Sequence, residues 1–245
     1  MTQSVNLSTR PAPMNPEPGG LRLRSVSRVV AVLFVTTMLA GMVDAYAVAP
    51  RLEAASHIDA ALATRLVVGA LCVIFMAIGV VGIATTLYPV LRPHGETVAV
   101  TYVAFRAMEG VLLSAGAVGY LALASGDVGL GQDSFAAAAA WVISVKEVSF
   151  LVAMTLLGVG GTLMCRLLGT SGLTPRWLSW WGVLGYVSLL VSAVLGLARV
   201  GGATADLLYV VGGVWELVVF PGWLLATGLR TVRTDGPEPG RSIQH

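Results

Sequence analysis

The sequence predicts an all-α, polytopic membrane protein: a bundle of six transmembrane helices with both termini in the cytoplasm. Its mean hydropathy is +0.82, and only 11% of its 245 residues are charged, whereas soluble domains have about 25%. So little charge suits lipid, where helices or closed barrels must satisfy every backbone N–H and C=O internally. The apolar stretches are continuous, while barrel strands alternate in polarity, so helices are indicated.

Six apolar runs have the length of about 20 residues that a helix needs to cross a bilayer. They cover 28–49, 65–89, 98–124, 141–167, 177–199 and 206–229. Short stretches with turn-forming residues separate them, and little chain remains for a soluble domain. We therefore predict a six-helix transmembrane domain over 27–230. The flanking segments 1–26 and 231–245 are polar and contain prolines, so we expect them to be disordered cytoplasmic tails.

Basic residues are distributed unequally between the two ends of these spans. With the N-terminus inside, the cytoplasmic side holds Arg10, Arg22, Arg24, Arg28, Arg92, Arg166, Arg176, Arg230, Arg233 and Arg241. The outer side and its span ends hold Arg51, Arg65, Lys146 and Arg199. Because cytoplasmic loops are enriched in Lys and Arg, this distribution predicts the N-in, C-in orientation.

The first span also has features of a secretory signal peptide. Arg22, Arg24 and Arg28 precede its apolar core, and Ala-Tyr-Ala at 45–47 resembles a cleavage site. The long polar segment before it, the adjacent Asp44 and the length of the apolar run favour a retained span instead. The mass of the N-terminal part of the membrane-extracted protein distinguishes these two hypotheses, since cleavage would give a start near Val48.

Several ionisable residues fall inside the predicted spans, where a charge costs at least about 2.5–3.5 kcal/mol. The i,i+3 spacing of Arg106 and Glu109 puts both on one face of the third span, and Glu216 lies near the middle of the sixth. Arginine stays protonated, so Arg106 is the expected counter-charge for one of these glutamates. The predicted intramembrane polar site has six members: Asp44, Arg106, Glu109, Lys146, Glu147 and Glu216.

Two interpretations of these charges stay open. They form either a structural ion-pair network that fixes helix packing, or a site for a ligand or a proton. The histidines His57, His94 and His245 lie in loops or a tail, and no metal-ligand motif is present, so we expect no cofactor and no metal. Pro221 is expected to kink the sixth span one turn below Glu216. The glycines at 158–161 and 182–185 indicate close helix packing.

Four phrases of the sequence together resemble the bacterial membrane-protein family known as domain of unknown function 4386. They are LYPVLR at 87–92, YVAFRAMEGVLL at 102–113, PRWLSWWGVLG at 175–185, and Trp215-Glu216 followed by PGWLL at 221–225. The resemblance covers roughly residues 25–230 and implies a multi-span inner-membrane protein without an assigned activity or cofactor. Its pattern extends to Arg106, Glu109, Arg176 and Glu216, and the pair Lys146-Glu147 fits it. Pro221-Gly222 stands where the family has an uninterrupted apolar run.

The sequence leaves three classes of function. The first is a small-molecule or ion translocator or a sensor, with its site among the intramembrane charges. The second is a structural or accessory subunit, and the third, more remote, is an intramembrane lipid-modifying enzyme. Catalysis is not favoured, because the spans contain neither a histidine nor paired acidic metal ligands. The expected partners are the lipid bilayer and a membrane protein or second copy of the chain. Nucleic acid is not expected, since the net charge is only +2 and forms no basic patch.

Overall fold

The computed structural model describes residues 18–126 and 132–230. Six helical segments in these ranges are long and apolar enough to cross a membrane, which confirms the six-span prediction. They are Leu23–Glu53, Ala60–His94, Glu96–Ala124, Ser134–Thr170, Arg176–Leu197 and Gly202–Ala226. The orientation stays a prediction. We call the end with Arg28, Arg92 and Arg230 the predicted cytoplasmic end, and the opposite one the predicted outer end.

The first and last spans each contain a π-helical segment, the second ends in a short 3-10 turn (Arg92–His94), and the other three are continuous α-helices. The first span consists of α1 (Pro18–Val43), a π-helical segment (Asp44–Val48) and α2 (Ala49–Glu53). The middle spans are α3 (Ala60–Leu91), α4 (Glu96–Ala124), α5 (Gln132–Thr170) and α6 (Arg176–Leu197). The last consists of α7 (Gly202–Val214), a π-helical segment (Trp215–Val219) and α8 (Phe220–Ala226).

The helix ends use the turn residues that the sequence offers. The Asp59 side chain caps α3 by accepting a hydrogen bond from the Leu62 N–H at 2.7 Å, as N-terminal caps do. Gly172, after α5, has φ +74°, which glycine adopts without strain. Helix α1 begins at Pro18, inside the segment 1–26 that the sequence assigns to a tail, because proline suits a first helical turn. The predicted tail residues 1–17 and 231–245 lie outside the described residues.

The helices pack as a ring in chain order, from α1 to α3, α4, α5, α6 and α7, and the ring closes where α1 meets α8. This closure lies toward the predicted cytoplasmic end. There the Leu229 N–H donates to Ser27 Oγ at 2.9 Å, and Phe34 meets Phe220 edge to face at 5.6 Å. Toward the predicted outer end, α7 packs against α6 and has no close packing with α1 among the described residues. The ring is therefore open there, between α1 and α7.

Glycines allow α5, α6 and α7 to approach closely, as the sequence predicts. A Cβ atom on Gly182 would lie 2.5 Å from Cys165 Sγ and 2.6 Å from Trp215 Cζ2. A Cβ atom on Gly212 would lie 2.7 Å from the Gly185 carbonyl oxygen. Small residues at membrane helix interfaces allow such backbone approach. This packing fixes α6 against the sixth span, which positions Glu216.

A separate apolar cluster holds the end of the first span against the bundle. Val48 and Leu52 are buried in it, together with residues of α3, α4 and α5 such as Leu66, Tyr120 and Phe135. The first span therefore leans over the predicted outer end toward α5, where α2 contacts α5. This lean brings Asp44 close to the fourth span.

Candidate functional site

Arg106, Glu109 and Glu216 form a buried charged cluster inside the bundle. Arg106 Nη1 donates to both carboxylate oxygens of Glu109, at 2.8 and 3.1 Å. Arg106 Nη2 lies 3.8 Å from Glu216 Oε1, so this second contact is a looser ion pair. All three residues are at most 2% exposed. One guanidinium group is thus shared by two carboxyl groups, and the cluster has an excess of negative charge when both are ionised.

The cluster lies near the middle of the membrane span. With a rise of about 1.5 Å per residue, Arg106 lies about 15 Å along α4 from Glu96, which begins that helix. By the same measure, Glu216 lies about 15 Å from Ala226, at which α8 ends. Half of a hydrocarbon core of about 30 Å is comparable to both distances. The two spans therefore bring their charges to the same depth, although 107 residues separate Glu109 from Glu216 along the chain.

Aromatic residues position Glu216 from α6 and from its own span. The Tyr186 hydroxyl donates to Glu216 Oε1 at 3.1 Å. The neighbouring Trp215 stacks on Phe220 with ring centres 4.7 Å apart, and its indole N–H donates to the Leu178 carbonyl at 3.4 Å. Glu216 Oε2 accepts no hydrogen bond from any residue that the structure describes. One oxygen of this carboxyl group is therefore fixed, and the other is available.

A second ion pair joins the first and fourth spans. Lys146 Nζ lies 2.7 Å from Asp44 Oδ2 and 5.3 Å from the ring centre of Tyr120, within the range of a cation–π contact. The structure thus pairs Lys146 with Asp44, another member of the predicted polar site. Glu147 is exposed and has no ion pair in the described ranges.

Each π-helical segment contains an acidic residue of the site and ends shortly before a proline. The Ala49 N–H donates to the Asp44 carbonyl, and Pro50 follows. The Phe220 N–H donates to the Trp215 carbonyl, and Pro221 follows. Proline lacks the N–H of the normal helical hydrogen bond. In the preceding turn the backbone hydrogen bond spans five residues instead of four. The local change before Pro221 is thus a widened turn that contains Glu216, and such π-bulges are frequent at functional sites.

All six residues of the predicted polar site line one cavity. Its volume is about 400 Å³, and its lining includes Asp44, Arg106, Glu109, Lys146, Glu147 and Glu216. Most of the remaining lining is aromatic, aliphatic or methionine side chains. Ligand sites in proteins commonly have this size and combine apolar walls with a few polar groups. The sequence grouped these residues only by their depth in the membrane, and the structure brings them around a common space.

Three buried polar atoms on the cavity lining have no hydrogen-bond partner among the described residues. They are Asp44 Oδ1, Arg106 Nε and the Tyr120 hydroxyl. Nearly all buried polar atoms in native proteins are hydrogen-bonded, and leaving one unsatisfied costs about 1–3 kcal/mol. None of the three presents appreciable surface to the cavity, and the Tyr120 hydroxyl lies near the Asp44 carboxylate. Within residues 18–126 and 132–230, no cluster of His, Cys, Asp and Glu could hold a metal ion.

Sequence reasoning missed the aromatic residues of the site. Tyr186 contacts Glu216, while Phe34 and Tyr102 each place their ring centre 5.9 Å from the Arg106 guanidinium carbon. An aromatic residue in an apolar run is usually ordinary packing, so nothing local distinguishes these three. The one available signal for Tyr186 is its depth, about 15 Å along α6 from Arg176.

The comparison with protein families agrees with the resemblance in the sequence. A family model described as "Domain of unknown function (DUF4386)" matches residues 29–228. The matched range reaches into all six spans and includes all six residues of the candidate site. No curated protein and no solved structure matches the chain.

Proposed function

Since this chain belongs to the DUF4386 family, whose description assigns no activity, we propose a function from the site itself. The protein is a translocator or sensor of a small molecule or an ion in a bacterial inner membrane, and its ligand occupies the cavity lined by Arg106, Glu109 and Glu216. The site is open toward the predicted outer end, where the ring of helices is incomplete between α1 and α7.

One observation supports this proposal most strongly: ionisable residues from four spans meet around one cavity, and two of them, Glu147 and Glu216, have no close ion pair among the described residues. A network that served only packing would satisfy its charges internally, because an unpaired buried charge is costly. Here Glu216 has only a 3.8 Å contact with Arg106 and one oxygen without a donor. Glu147, which also lines the cavity, has no counter-charge among the described residues.

A structural or accessory role is the second candidate, and two contacts favour it. The Arg106–Glu109 pair closes within α4, and the Lys146–Asp44 pair ties the fourth span to the first. Buried polar contacts of this kind can fix helix register. In that role the partner would be another membrane protein or a second copy of the chain, bound in the bilayer. Access of water-soluble reagents to the cavity distinguishes the two candidates.

We expect a cysteine at position 213 to react with a membrane-impermeant, water-soluble thiol reagent added to intact cells. Gly213 lines the cavity, and a Cβ atom there would meet nothing within 4 Å. The native Cys72 and Cys165 would first be replaced by alanine. If the proposal holds, Gly213→Cys is labelled within minutes, as mass spectrometry of the purified protein would show.

The matched control is Val111→Cys in the same background. Val111 is 73% exposed and lies on the lipid-facing surface of α4. It is about 22 Å from Glu96 along the helix, so its depth in the membrane is similar to that of Gly213. It should stay unlabelled, because lipid excludes the reagent. Labelling of neither cysteine would favour the structural role. Equal labelling of both would mean that the reagent reports membrane leakage, and the proposal would lose this support.

A further inference from the structure

We propose that the ligand of this cavity is an amphipathic organic cation, with a positively charged head on an apolar body. The inference rests on the proposed function and names its ligand class. It follows from the charge of the cavity lining, from the acceptor atom that the lining leaves available, from its apolar walls, and from the position of the opening.

The cavity lining is acidic. Five carboxylate side chains contribute to it, against only two basic ones: Asp44, Glu53, Glu109, Glu147 and Glu216, against Arg106 and Lys146. Arg106 is engaged mainly by Glu109 and Lys146 by Asp44, at 2.8 and 2.7 Å. The remaining carboxylates therefore set the field inside the cavity. A cleft with low-dielectric walls and one sign of charge concentrates ligands of the opposite charge.

The available acceptor suits a cationic head. Glu216 Oε2 is a carboxylate oxygen without a donor among the described residues. Glu216 is 1% exposed, so this oxygen lies away from bulk water. The unpaired donors among the described lining residues are Arg106 Nε, on a guanidinium that already faces two carboxylates, and the Tyr120 hydroxyl. An anion would meet the five carboxylates before it could use either donor.

The walls suit an apolar body. Phe34, Phe150 and Tyr209 supply aromatic surface to the cavity, and Met38, Met42 and Met154 supply flexible thioether side chains. Aromatic faces attract cations, and methionine adapts to irregular apolar shapes. A small hydrated inorganic ion would use little of this surface.

The opening also favours a ligand that partitions into lipid. Met42 and Tyr46 lie on the α1 side of the gap in the ring, and Tyr209 and Gly213 lie on the α7 side. Met42, Tyr46 and Tyr209 are 44%, 77% and 41% exposed, respectively. In the predicted orientation this gap faces the outer half of the bilayer. An amphipathic cation concentrated at that interface would reach Glu216 sideways, with its apolar part still in a lipid-like environment.

The test compares three ions on the purified full-length chain in phosphatidylcholine nanodiscs, with empty nanodiscs subtracted. Tetraphenylphosphonium and tetraphenylborate have the same shape and opposite charge, while tetramethylammonium is a cation without a large apolar body. We expect tetraphenylphosphonium to bind at least about tenfold more tightly than either of the others, as isothermal titration would show. Equal or tighter binding of tetraphenylborate would overturn the charge preference. Equal binding of tetramethylammonium would overturn the apolar part.

Two variants assign the binding to the cavity. Glu216→Gln should weaken tetraphenylphosphonium binding at least about tenfold, since truncating one partner of a buried charge pair has effects of this size. Glu147→Gln, at an exposed residue without an ion pair, should weaken it about twofold to threefold and presents little folding risk. Glu96→Gln removes the same charge outside the cavity and should leave binding unchanged. Identical affinities in all three variants would overturn the assignment, whatever the stability of Glu216→Gln.

The outcome separates this inference from the proposed function. If Gly213→Cys is labelled while tetraphenylphosphonium fails to bind, the accessible site stands and only its ligand class is wrong. If Gly213→Cys is not labelled but tetraphenylphosphonium binds, the ligand enters from the lipid and the inference stands. If neither occurs, the proposed function fails together with the inference.

Discussion

Replacement of Arg106 by methionine is expected to destabilise the protein by about 3–5 kcal/mol, the range for removing one partner of a buried ion pair. Glu109 would lose its hydrogen bonds at 2.8 and 3.1 Å, and Glu216 would lose its nearest cation. Native proteins are stable by only about 5–15 kcal/mol. We therefore expect Arg106→Met to reduce sharply the amount of folded protein, measured by fluorescence-detected size-exclusion chromatography of a fluorescent-protein fusion.

The chain offers a matched control in the Arg92–Glu96 pair. It has a comparable distance of 3.0 Å, but its side chains are 59% and 60% exposed, and exposed pairs contribute about 0–1 kcal/mol. Arg92→Met should therefore leave the yield nearly unchanged. The double variant Arg106→Met, Glu109→Gln should recover part of the loss, because it removes one of the two stranded carboxylates. Equal yields of Arg106→Met and Arg92→Met would show that the buried cluster contributes nothing to folding.

Replacement of Gly212 by alanine is expected to lower the melting temperature by several degrees. The new Cβ atom would lie 2.7 Å from the Gly185 carbonyl oxygen and would overlap the Leu189 side chain. A backbone oxygen cannot move aside, so α6 and α7 must separate. Overpacking of this kind costs about 1–3 kcal/mol. A thermal-shift assay on the detergent-purified protein would measure the effect.

The neighbouring glycine is the control for this prediction. A Cβ atom on Gly213 would meet nothing within 4 Å, and alanine is favoured over glycine in a helix by about 0.8–1 kcal/mol. Gly213→Ala should therefore leave the melting temperature unchanged or raise it slightly. If both alanine variants melt alike, the close approach of α6 and α7 at Gly212 is not a determinant of stability.

The number and approximate limits of the spans could be predicted from the sequence, because the length of an apolar run is a local property. The pairing of Arg106 with Glu109 was predictable for the same reason, since both lie on one helix three residues apart. The partner of Lys146 was not, because Asp44 reaches it only through the lean of the first span toward α5. That lean depends on how Val48 and Leu52 pack against three other helices, which no local pattern encodes.

The cavity was likewise beyond the sequence. The positions of Glu216 and Arg106 along their predicted spans place them at one depth in the membrane. These positions do not show whether the space between the spans is filled. The cavity is open because α7 packs along α6 and separates from α1 toward the predicted outer end. This separation is a property of the whole ring. The widened turn at Trp215–Val219 was indicated only as a kink at Pro221, and the one at Asp44–Val48 was not indicated. Tyr186, which donates a hydrogen bond to Glu216, lies 30 residues away in the sequence, and no feature of its neighbours distinguishes it.

The closure of the ring has a consequence for the order in which the protein is made. Ser27 and Leu229, joined by a hydrogen bond, lie 202 residues apart, and synthesis proceeds from the N-terminus. The first span therefore lies in the membrane without its neighbour α8 until the last span has been released from the ribosome. Arg106 and Glu109 can enter the bilayer together as a compensated pair on one helix, whereas Glu216 arrives later and alone. A chain that ends before Phe220 would thus retain the buried charged cluster of Arg106, Glu109 and Glu216 but lack the segment that joins the two ends of the ring.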